Sequence, residues 1–386
     1  MEEMSARWTA WKGLGAVAAM AALAWASGCA APTGRASLQL RELTQAELDA
    51  FLEKGADPMT RGIRVRRGPS GAEFDGGNRP WLGKMSRTRL KKAPEGWLPV
   101  TEAETADKTK FNALVDTSAR QSWLLYDSVR ALDFRPFKEG GKPTGEYPDH
   151  VESAIPGYAG AANKAVLGKK LHVEYPVFYV APGHGMLGPL AREENGTGAG
   201  GKAGQWRRKT HAVFGAALLK TFATVRLDFR TGWVTWMSSQ EYKGGGKGGG
   251  VGTALGDWRG RPTVAVRLGG KELSAVVDTA GDFAVSVPAS WLRDGADGAE
   301  VAMPLELGGR NIGENVRVRT HESLGLPGDW PARVGWQIWK EYAVTFDWKH
   351  GKMWLDKPEW AAAGTGGGDE KTAGEAGPVR YRGIEP

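Results

Sequence analysis

Three short sequence motifs occur twice in this chain, in the same order each time. The first motif places an Asp-Thr pair at the end of an apolar run, as FNALVDTSA at residues 111–119 and as LSAVVDTAG at residues 273–281. The other two motifs match residues 215–223 with 335–343 and residues 228–232 with 347–351. Three matches in one order are difficult to attribute to chance. The sequence therefore predicts an internal duplication in which one structural unit is present twice.

The repeated units carry the pattern of β-structure. Residues 225–229 alternate between apolar and polar, which is the period of a half-buried strand. A turn at 230–232 leads into a second apolar segment, and residues 344–355 repeat this hairpin. A further hairpin is predicted over 263–277 and a short helix over 216–222. We expect a mostly-β fold with few short helices.

Composition excludes several classes of protein. Glycine accounts for 56 of the 386 residues, and each glycine inside a helix is unfavourable by about 1 kcal/mol relative to alanine, which argues against a long helical bundle. The single cysteine, Cys29, excludes a disulfide framework, a CxxC redox pair and multi-cysteine metal sites. The six histidines show no metal-binding spacing, so no metal and no cofactor are expected. Only one apolar stretch is present, at the N-terminus, which excludes a multi-pass membrane protein.

The N-terminus has the organisation of a signal peptide. An apolar run at residues 14–25 is flanked by Arg7 and Lys12 and is too short to span a bilayer. The small residues before Cys29 resemble the lipobox of bacterial lipoproteins, in which the cysteine is acylated and becomes the mature N-terminus. An ordinary secretory peptide with an incidental Cys29 is the alternative. The resemblance implies a lipid-anchored protein of the bacterial cell envelope, and Ala30 after the cysteine resembles sorting to the outer membrane, facing the periplasm.

Positive charge is concentrated in residues 61–92. That segment contains ten basic residues against Glu73 and Asp75, whereas the whole chain carries a net charge of +7. A basic segment beyond a lipid anchor is expected to contact anionic headgroups, at about 1 kcal/mol per positive charge. A solvated linker is the alternative. Nucleic acid is not expected as a partner, because the protein is exported.

Composition also divides the chain into six segments. A glycine tract at 243–252 is typical of a flexible linker, and the last residues almost lack large apolar side chains, which is typical of disorder. Near the N-terminus, Thr44 and Glu47 form a capping-box pattern for one short helix that ends at Gly55. The predicted segments are a lipoprotein signal peptide (1–28), a basic tether with one short helix (29–92), an N-terminal lobe (93–240), a Gly-rich linker (241–254), a C-terminal lobe (255–360) and a disordered tail (361–386).

Asp116 and Asp278 are the candidate catalytic residues. Each directly follows an apolar strand, where a carboxylate is costly unless it is paired. In duplicated halves the two side chains are expected to meet at a twofold axis and to share one proton. The ionised member of such a pair activates a water, and the protonated member donates a hydrogen bond to a scissile peptide carbonyl.

The order of these motifs resembles the aspartic proteases. Each half is similar to a bacterial retropepsin-like lobe, and two lobes in one chain resemble the pepsin-like enzymes, over about residues 93–356. The resemblance implies a two-lobed pepsin-like fold with Asp116 and Asp278 as the catalytic dyad. It also implies supporting residues in three places: Thr117 and Thr279 hydrogen-bonding across the axis, Gly215 and Gly335 in the closing motif, and Gly157, Tyr158 and Gly160 in a flap over the cleft.

Two residues depart from the family pattern. The family has Asp-Thr/Ser-Gly, whereas this chain has Ser118 and Ala280 in place of the two glycines. That glycine lets backbone amides approach the carboxylates, so a side chain there can crowd the dyad. Two functions therefore stay open: an aspartic-type peptidase acting as a monomer on peptide or unfolded protein, and a catalytically inactive lipoprotein that binds peptide or glycan in the cell envelope. The 17 tryptophans would suit glycan contact, although such residues more often fill cores.

Overall fold

The computed structural model describes most of the chain between Gln45 and Lys357, all of it within the unit Leu38–Pro386. The described residues are 45–68, 71–81, 83–125, 134–140, 142–143, 145–146, 157–181, 210–239, 242, 250–292, 301–326 and 328–357. The predicted signal peptide, Cys29 and the predicted tail lie outside them. Among the described helices, none has the length and apolar character needed to cross a membrane.

The described residues lie mostly in β-strands, joined by three short α-helices and three short 3₁₀ helices. The α-helices are α1 (Gln45–Glu53), α2 (Ala216–Leu219) and α3 (Trp336–Trp339), and the 3₁₀ helices are Pro58–Arg61, Ala289–Trp291 and Glu322–Leu324. The strands before Asp116 are β1 (Arg64–Gly68), β2 (Gly71–Asp75), β3 (Arg79–Trp81), β4 (Met85–Ala93), β5 (Gly96–Thr105) and β6 (Lys110–Val115). Those that complete the first half are β7 (Trp123–Leu125), β8 (Arg135–Pro136), β9 (Lys138–Glu139), β10 (Lys142–Pro143), β11 (Gly145–Glu146), β12 (Gly157–Ala161), β13 (Lys164–Leu167), β14 (Leu171–Glu174), β15 (Val177–Ala181), β16 (Ala212–Phe214), β17 (Thr224–Asp228) and β18 (Trp233–Met237). The second half contains β19 (Val251–Ala254), β20 (Gly256–Trp258), β21 (Arg261–Leu268), β22 (Lys271–Val277), β23 (Val285–Val287), β24 (Val301–Leu307), β25 (Arg310–Thr320), β26 (Ala332–Val334), β27 (Ala343–Asp347) and β28 (Lys352–Asp356).

The prediction of a mostly-β fold with few short helices is confirmed. The three hairpins expected from sequence are present as β17–β18, β21–β22 and β27–β28. The short helix expected after Gly215 is α2, and the one expected near the N-terminus is α1. Thr44, the first residue of the predicted capping box, lies outside the described residues.

Both halves contain the same strand arrangement around an Asp-Thr loop. In the first half, β6 leads into the loop and runs parallel to β16, while β7 pairs parallel with β15 and antiparallel with β16. In the second half, β22 runs parallel to β26, while β23 pairs parallel with β25 and antiparallel with β26. Each half then continues through a short helix into its last hairpin. The repeat in the sequence therefore corresponds to a repeat of strand pairing.

One antiparallel sheet joins the two halves. Its strand order is β4-β18-β17-β27-β28-β19. At its centre Val225 pairs with Phe346, and Leu227 pairs with Val344. In the repeat alignment Val344 is equivalent to Val225 and Phe346 to Leu227, so these two pairs exchange under a twofold rotation. A local twofold axis therefore passes between β17 and β27.

The hydrophobic core is continuous across this sheet. It includes the fully buried rings of Trp236 from β18, Phe346 from β27 and Trp339 from α3. Large aromatic side chains each bury roughly 150–250 Å², and they dominate core energetics for that reason. Trp236 and Trp339 thus serve packing in the core.

The prediction that residues 29–92 form a tether is wrong for the described part of that segment. It forms α1 and β1 to β4, and β4 pairs with β5 on one side and with β18 on the other. Along β4, Arg87 and Arg89 are exposed, whereas Thr88 between them is buried and hydrogen-bonds Thr101 Oγ1 and Trp236 Nε1. Because the buried face of β4 is partly polar, hydrophobic periodicity does not reveal the strand.

The predicted Gly-rich linker is also shorter than expected. Its last residues, Val251–Ala254, form β19 and pair with β28 at the edge of the joining sheet. Residues 243–249 of the glycine tract lie outside the described residues. The β-structure therefore begins before the predicted boundary of the second lobe.

Candidate active site

Asp116 lies in a loop that its own carboxylate organises. Its backbone N–H donates to Phe214 O at 3.1 Å, which continues the pairing of β6 with β16. Its Oδ1 accepts hydrogen bonds from the backbone N–H groups of Ser118 (2.8 Å) and Ala119 (3.2 Å) and from the Ser118 hydroxyl (2.7 Å). Three donors on one oxygen hold the carboxyl group of Asp116 in a fixed orientation.

Asp278 occupies the equivalent position in the second half. Its backbone N–H donates to Val334 O at 2.9 Å. Its Oδ1 accepts hydrogen bonds from the backbone N–H groups of Ala280 (3.1 Å) and Gly281 (2.7 Å). Both Asp-Thr loops therefore wrap their backbone around one carboxylate oxygen in the same way, as expected for duplicated units.

Thr117 and Thr279 join the two loops. The Thr279 hydroxyl donates to Val115 O at 2.7 Å and accepts from the Thr117 backbone N–H at 3.1 Å. The Thr117 hydroxyl donates to Val277 O and accepts from the Thr279 backbone N–H at 3.3 Å. Both threonines are fully buried. Each hydroxyl thus reaches the backbone of the other half, and the loops that carry Asp116 and Asp278 are in direct contact.

Gly215 and Gly335 allow each loop to pack against the following helix. A Cβ at Gly215 would collide with the Gln121 carbonyl oxygen, and a Cβ at Gly335 would collide with the Phe283 carbonyl oxygen. Both glycines have extended backbone, so the requirement is for space. The first residue of α2 and of α3 then donates its N–H to the loop of its own half, at 2.7 and 2.8 Å. The first turn of each helix therefore holds the Asp-Thr loop of its own half in place through a backbone hydrogen bond.

Arg333 is a residue of this site that the sequence analysis missed. Its Nη2 donates to Asp278 Oδ2 at 2.6 Å and to the Ser118 hydroxyl at 3.2 Å. The side chains of Arg333 and Asp278 are each 1% exposed. The guanidinium lies 4.7 Å from the ring centroid of Trp330 and 5.5 Å from that of Phe283. The buried cation therefore forms a charge-assisted hydrogen bond to Asp278.

The repeat contains a signal for Arg333. The strand motif before each helix is AVFG at 212–215 and ARVG at 332–335, which aligns Arg333 with Val213. Both strands are buried and parallel to the strand that precedes the Asp-Thr loop. An arginine in place of valine in a buried strand requires a polar or ionic partner. The nearby carboxylate of Asp278 supplies it.

A second buried arginine contacts the same loop. Arg261, at the start of β21, is 1% exposed and donates from Nε to Ser118 O at 2.8 Å. Its guanidinium lies 4.7 Å from the centroid of Trp330, the ring that Arg333 also contacts. The Ser118 carbonyl oxygen therefore accepts a hydrogen bond from Arg261, and the Ser118 hydroxyl accepts one from Arg333. Two cations from the second half hold the Asp116 loop of the first half.

Burial is the main cause that raises the pKa of Asp116 from 3.8 to about 6, and the negative charge of Asp278 adds to it. The Ser118 hydroxyl and the charge of Arg333 act in the opposite direction. In mildly acidic solution Asp116 is therefore protonated, and Asp278 beside it is in contact with the Arg333 guanidinium. A pair with one protonated and one ionised carboxyl group can donate and accept a proton at the same site.

The side chains of Ser118 and Ala280 are accommodated without crowding the carboxylates. The Ser118 hydroxyl points to Asp116 as a hydrogen-bond donor, and Ala280 is buried in an apolar cluster with Trp123. In the second half the glycine in closest contact with the carboxylate is Gly281, where a Cβ would meet Asp278 Oδ2. The backbone amides reach both carboxylates despite the two replacements.

The residues predicted to form a flap lie in β12. Gly157–Ala161 pair antiparallel with β11 at one end and with β15 along the strand. Tyr158 is half-buried, and a Cβ at Gly160 would collide with the Arg135 carbonyl oxygen. Residues 147–156, which connect β11 to β12, lie outside the described residues. That this hairpin covers the cleft stays a prediction.

Within the part of the chain that the structure describes, no group of three or more His, Cys, Asp and Glu side chains is arranged to hold a metal ion. Of the described histidines, His211 and His321 have their pKa lowered to about 4, mainly by burial. His321 contacts Ser286 Oγ and the carbonyl oxygens of Trp330 and Pro331. These contacts are structural, and they support the loop from which Trp330 reaches Arg333.

Comparison with known proteins does not assign a function to this site. No protein-family model matches the chain, and no curated protein matches it. A solved structure described as the crystal structure of edgp is similar over 72% of this chain and 96% of that chain, with 11% sequence identity and a TM-score of 0.43. That similarity is too low to assign a function, so the site is interpreted from its own residues.

Proposed function

We propose that the site formed by Asp116 and Asp278 hydrolyses peptide bonds in the manner of an aspartic peptidase. The observation that carries the proposal is the reciprocal bonding of Thr117 and Thr279, which holds the two carboxylate loops against each other. The raised pKa of Asp116 and the cation on Asp278 add chemical asymmetry to that geometry. Peptide hydrolysis without a metal requires one acid and one base at the scissile bond.

In the proposed reaction Asp278 is the base and Asp116 the acid. Asp278 accepts a proton from a water molecule while the water oxygen bonds to the peptide carbonyl carbon, and Asp116 gives its proton to the carbonyl oxygen. The C–N bond of the resulting diol then breaks, the leaving nitrogen takes the proton from Asp278, and a hydroxyl of the diol returns a proton to Asp116. Both carboxyl groups end in their starting states, so the cycle needs no other reactant.

Arg333 acts in this scheme as a positioning residue. It contacts Asp278 directly and reaches Asp116 through the Ser118 hydroxyl. Its charge favours the proton on Asp116 over Asp278, so the roles of acid and base are fixed rather than interchangeable.

The test is cleavage of an unfolded casein by the full chain across acidic to neutral pH. Asp116→Asn and Asp278→Asn are each expected to abolish cleavage, and a pepstatin-type transition-state mimic is expected to inhibit it. Asp257→Asn, at an exposed carboxylate of the second half, is the matched control and should retain activity. Cleavage that survives either dyad substitution would rule out the mechanism.

A second candidate function is a non-catalytic protein that binds peptide or glycan in the cell envelope. The hydrogen bonds to Asp278 favour this function. Its Oδ1 accepts hydrogen bonds from two backbone N–H groups, and its Oδ2 accepts one from Arg333. A carboxylate whose oxygens already accept these three hydrogen bonds has little acceptor capacity left for a water molecule. Binding of the casein with no cleavage at any pH would favour this function over the first.

The proposed setting is the bacterial cell envelope, with the protein anchored through lipidated Cys29. The support is the sequence alone, namely the apolar run 14–25 and the small residues before the cysteine. Outer-membrane attachment facing the periplasm, a monomeric state and peptide or unfolded protein as partner belong to the same proposal.

A further inference from the structure

A solvent-open groove in the first half shares no residue with the aspartate site. It has a volume of about 620 Å³ and is lined by β4, β5, the β5–β6 turn and the β13–β14 hairpin. Its size is that of sites for small molecules rather than for a single inorganic ion. Six cationic side chains line it: Arg87, Arg89, Lys91, Lys108, Lys164 and Lys169.

The groove carries an excess of positive charge. Its only acidic lining residues in the described part of the chain are Glu102 and Glu104. Glu102 is paired with Lys110 at 2.5 Å and Lys91 at 3.8 Å, and Glu104 lies 3.9 Å from Lys110. Lys110 lies outside the lining set, so it offsets part of the acidic charge without using a groove cation. The lining cations are therefore left with little local neutralisation.

The fold assembles these cations from separate elements. The strand period places Arg87 and Arg89 on one face of β4, and Lys91 follows a register shift between Leu90 and Lys91. Gly168 lets the β13–β14 turn approach β4 closely, since a Cβ there would meet the Arg87 carbonyl oxygen, and Lys169 follows it. Lys108, in the β5–β6 turn, has a left-handed backbone conformation (φ 67°).

Arg89 is held in a defined orientation in the wall of the groove. Its Nη1 donates to Thr231 O at 2.9 Å, and its guanidinium lies 4.0 Å from the ring centroid of Trp233. Burial and then the charge of Lys164 lower the pKa of His172, another lining residue. A neutral imidazole there can accept as well as donate a hydrogen bond.

We propose that this groove binds a ligand that carries two or more phosphate groups. Arginine offers a planar fork and lysine a compact charge, and both bind phosphate oxygens with strong charge-assisted hydrogen bonds. Six cations across about 620 Å³ exceed what one monoanion needs, whereas several phosphate groups match them in charge. Such a ligand is either a soluble polyphosphorylated molecule or the phosphorylated headgroup of a lipid. The proposal is independent of the peptidase assignment.

The test measures binding of inorganic tripolyphosphate to the full chain by calorimetry, with two double variants. Lys164→Gln/Lys169→Gln removes two groove cations, and Lys271→Gln/Lys352→Gln removes two exposed cations that do not line the groove. We expect the groove variant to bind about tenfold more weakly, because each partly exposed ion contact contributes a factor of roughly three. The control variant should bind like the parent, and both variants should keep its melting temperature.

A second arm separates the two sources of phosphate. Phosphatidylcholine vesicles with and without cardiolipin, whose headgroup carries two phosphate groups, are co-sedimented with the same variants. Loss of vesicle binding in the groove variant alone identifies a lipid headgroup, and tripolyphosphate binding without vesicle binding identifies a soluble ligand. The proposal is overturned if the parent binds neither probe, or if the control variant loses as much affinity as the groove variant.

Discussion

Arg333 Nη2 lies 2.6 Å from Asp278 Oδ2, with both side chains 1% exposed. A buried ion pair of this kind is weak evidence for stability, because removal of two charges from water offsets much of their attraction. Its effect on function is clearer. It makes the two halves chemically unequal at the Asp-Thr loops, whose backbone hydrogen bonds to the carboxylates are equivalent.

Arg333→Met is expected to destabilise the fold by roughly 3–5 kcal/mol, because it leaves the Asp278 carboxylate buried without its cation. Adding Asp278→Asn should recover much of that loss, since no uncompensated charge then remains. The measurement is the free energy of unfolding in urea. Arg267→Met, at an arginine whose side chain is 49% exposed, is the control and should lose about 1 kcal/mol or less. Equal losses in the two single variants would contradict the assigned role of Arg333.

The pKa of Asp116 predicts how stability depends on pH. Because the folded value of about 6 lies above the ordinary value of 3.8, the native state binds more protons than the unfolded state between them. Stability from this group is therefore fully present below pH 4 and decreases as pH rises through 6, by about 3 kcal/mol in all. Asp116→Asn should remove this component of the pH profile, while Asp257→Asn should leave it. A parent protein with no such component would show that Asp116 is not buried beside a second carboxylate.

The hydrogen bonds of Thr117 and Thr279 predict energetic coupling between the two halves of the chain. Thr279→Val leaves Val115 O and the Thr117 N–H without their hydroxyl partner, and should lower the free energy of unfolding by about 1–3 kcal/mol. Thr279→Ser keeps the hydroxyl and should recover most of that loss. Thr117→Val/Thr279→Val should lose less than the sum of the single variants, because the two side chains share partners. Strict additivity would mean that the two hydroxyls act separately.

Lipid anchoring predicts a separation by fractionation. Cys29→Ser should move the protein from the membrane fraction to the soluble fraction of a bacterial host, because the acylated thiol is then absent. Ser27→Ala, which keeps a small residue before the cysteine, should leave the protein in the membrane fraction. Unchanged fractionation of Cys29→Ser would favour the ordinary secretory peptide.

The contact between the two Asp-Thr loops could be predicted because the repeat marks both loops in the sequence. The same reasoning did not extend to Arg333, since a side chain that reaches across strands leaves no local periodicity. Arg333 was detectable only as a mismatch with Val213 inside an otherwise matching motif. A comparison of the residues that differ between the two copies of the repeat would have identified Arg333.

The basic segment was misinterpreted for a different reason. On β4 the buried residue between Arg87 and Arg89 is Thr88, which satisfies its hydroxyl through Thr101 and Trp236. Hydrophobic periodicity cannot detect a strand whose inner face is partly polar. Charge alone therefore indicated a tether, where the fold instead orders those charges along one face of a strand.

The account depends most on the claim that Asp116 and Asp278 form one interacting site. The direct measurement is a ¹³C NMR titration of the Asp116 carboxyl carbon in the full chain, in the parent, in Asp278→Asn and in the exposed control Asp329→Asn. The account predicts a midpoint near pH 6 in the parent and in the control, and a clearly lower midpoint once the charge of Asp278 is removed. A midpoint near 3.8 in the parent, or one that Asp278→Asn leaves in place, would contradict it.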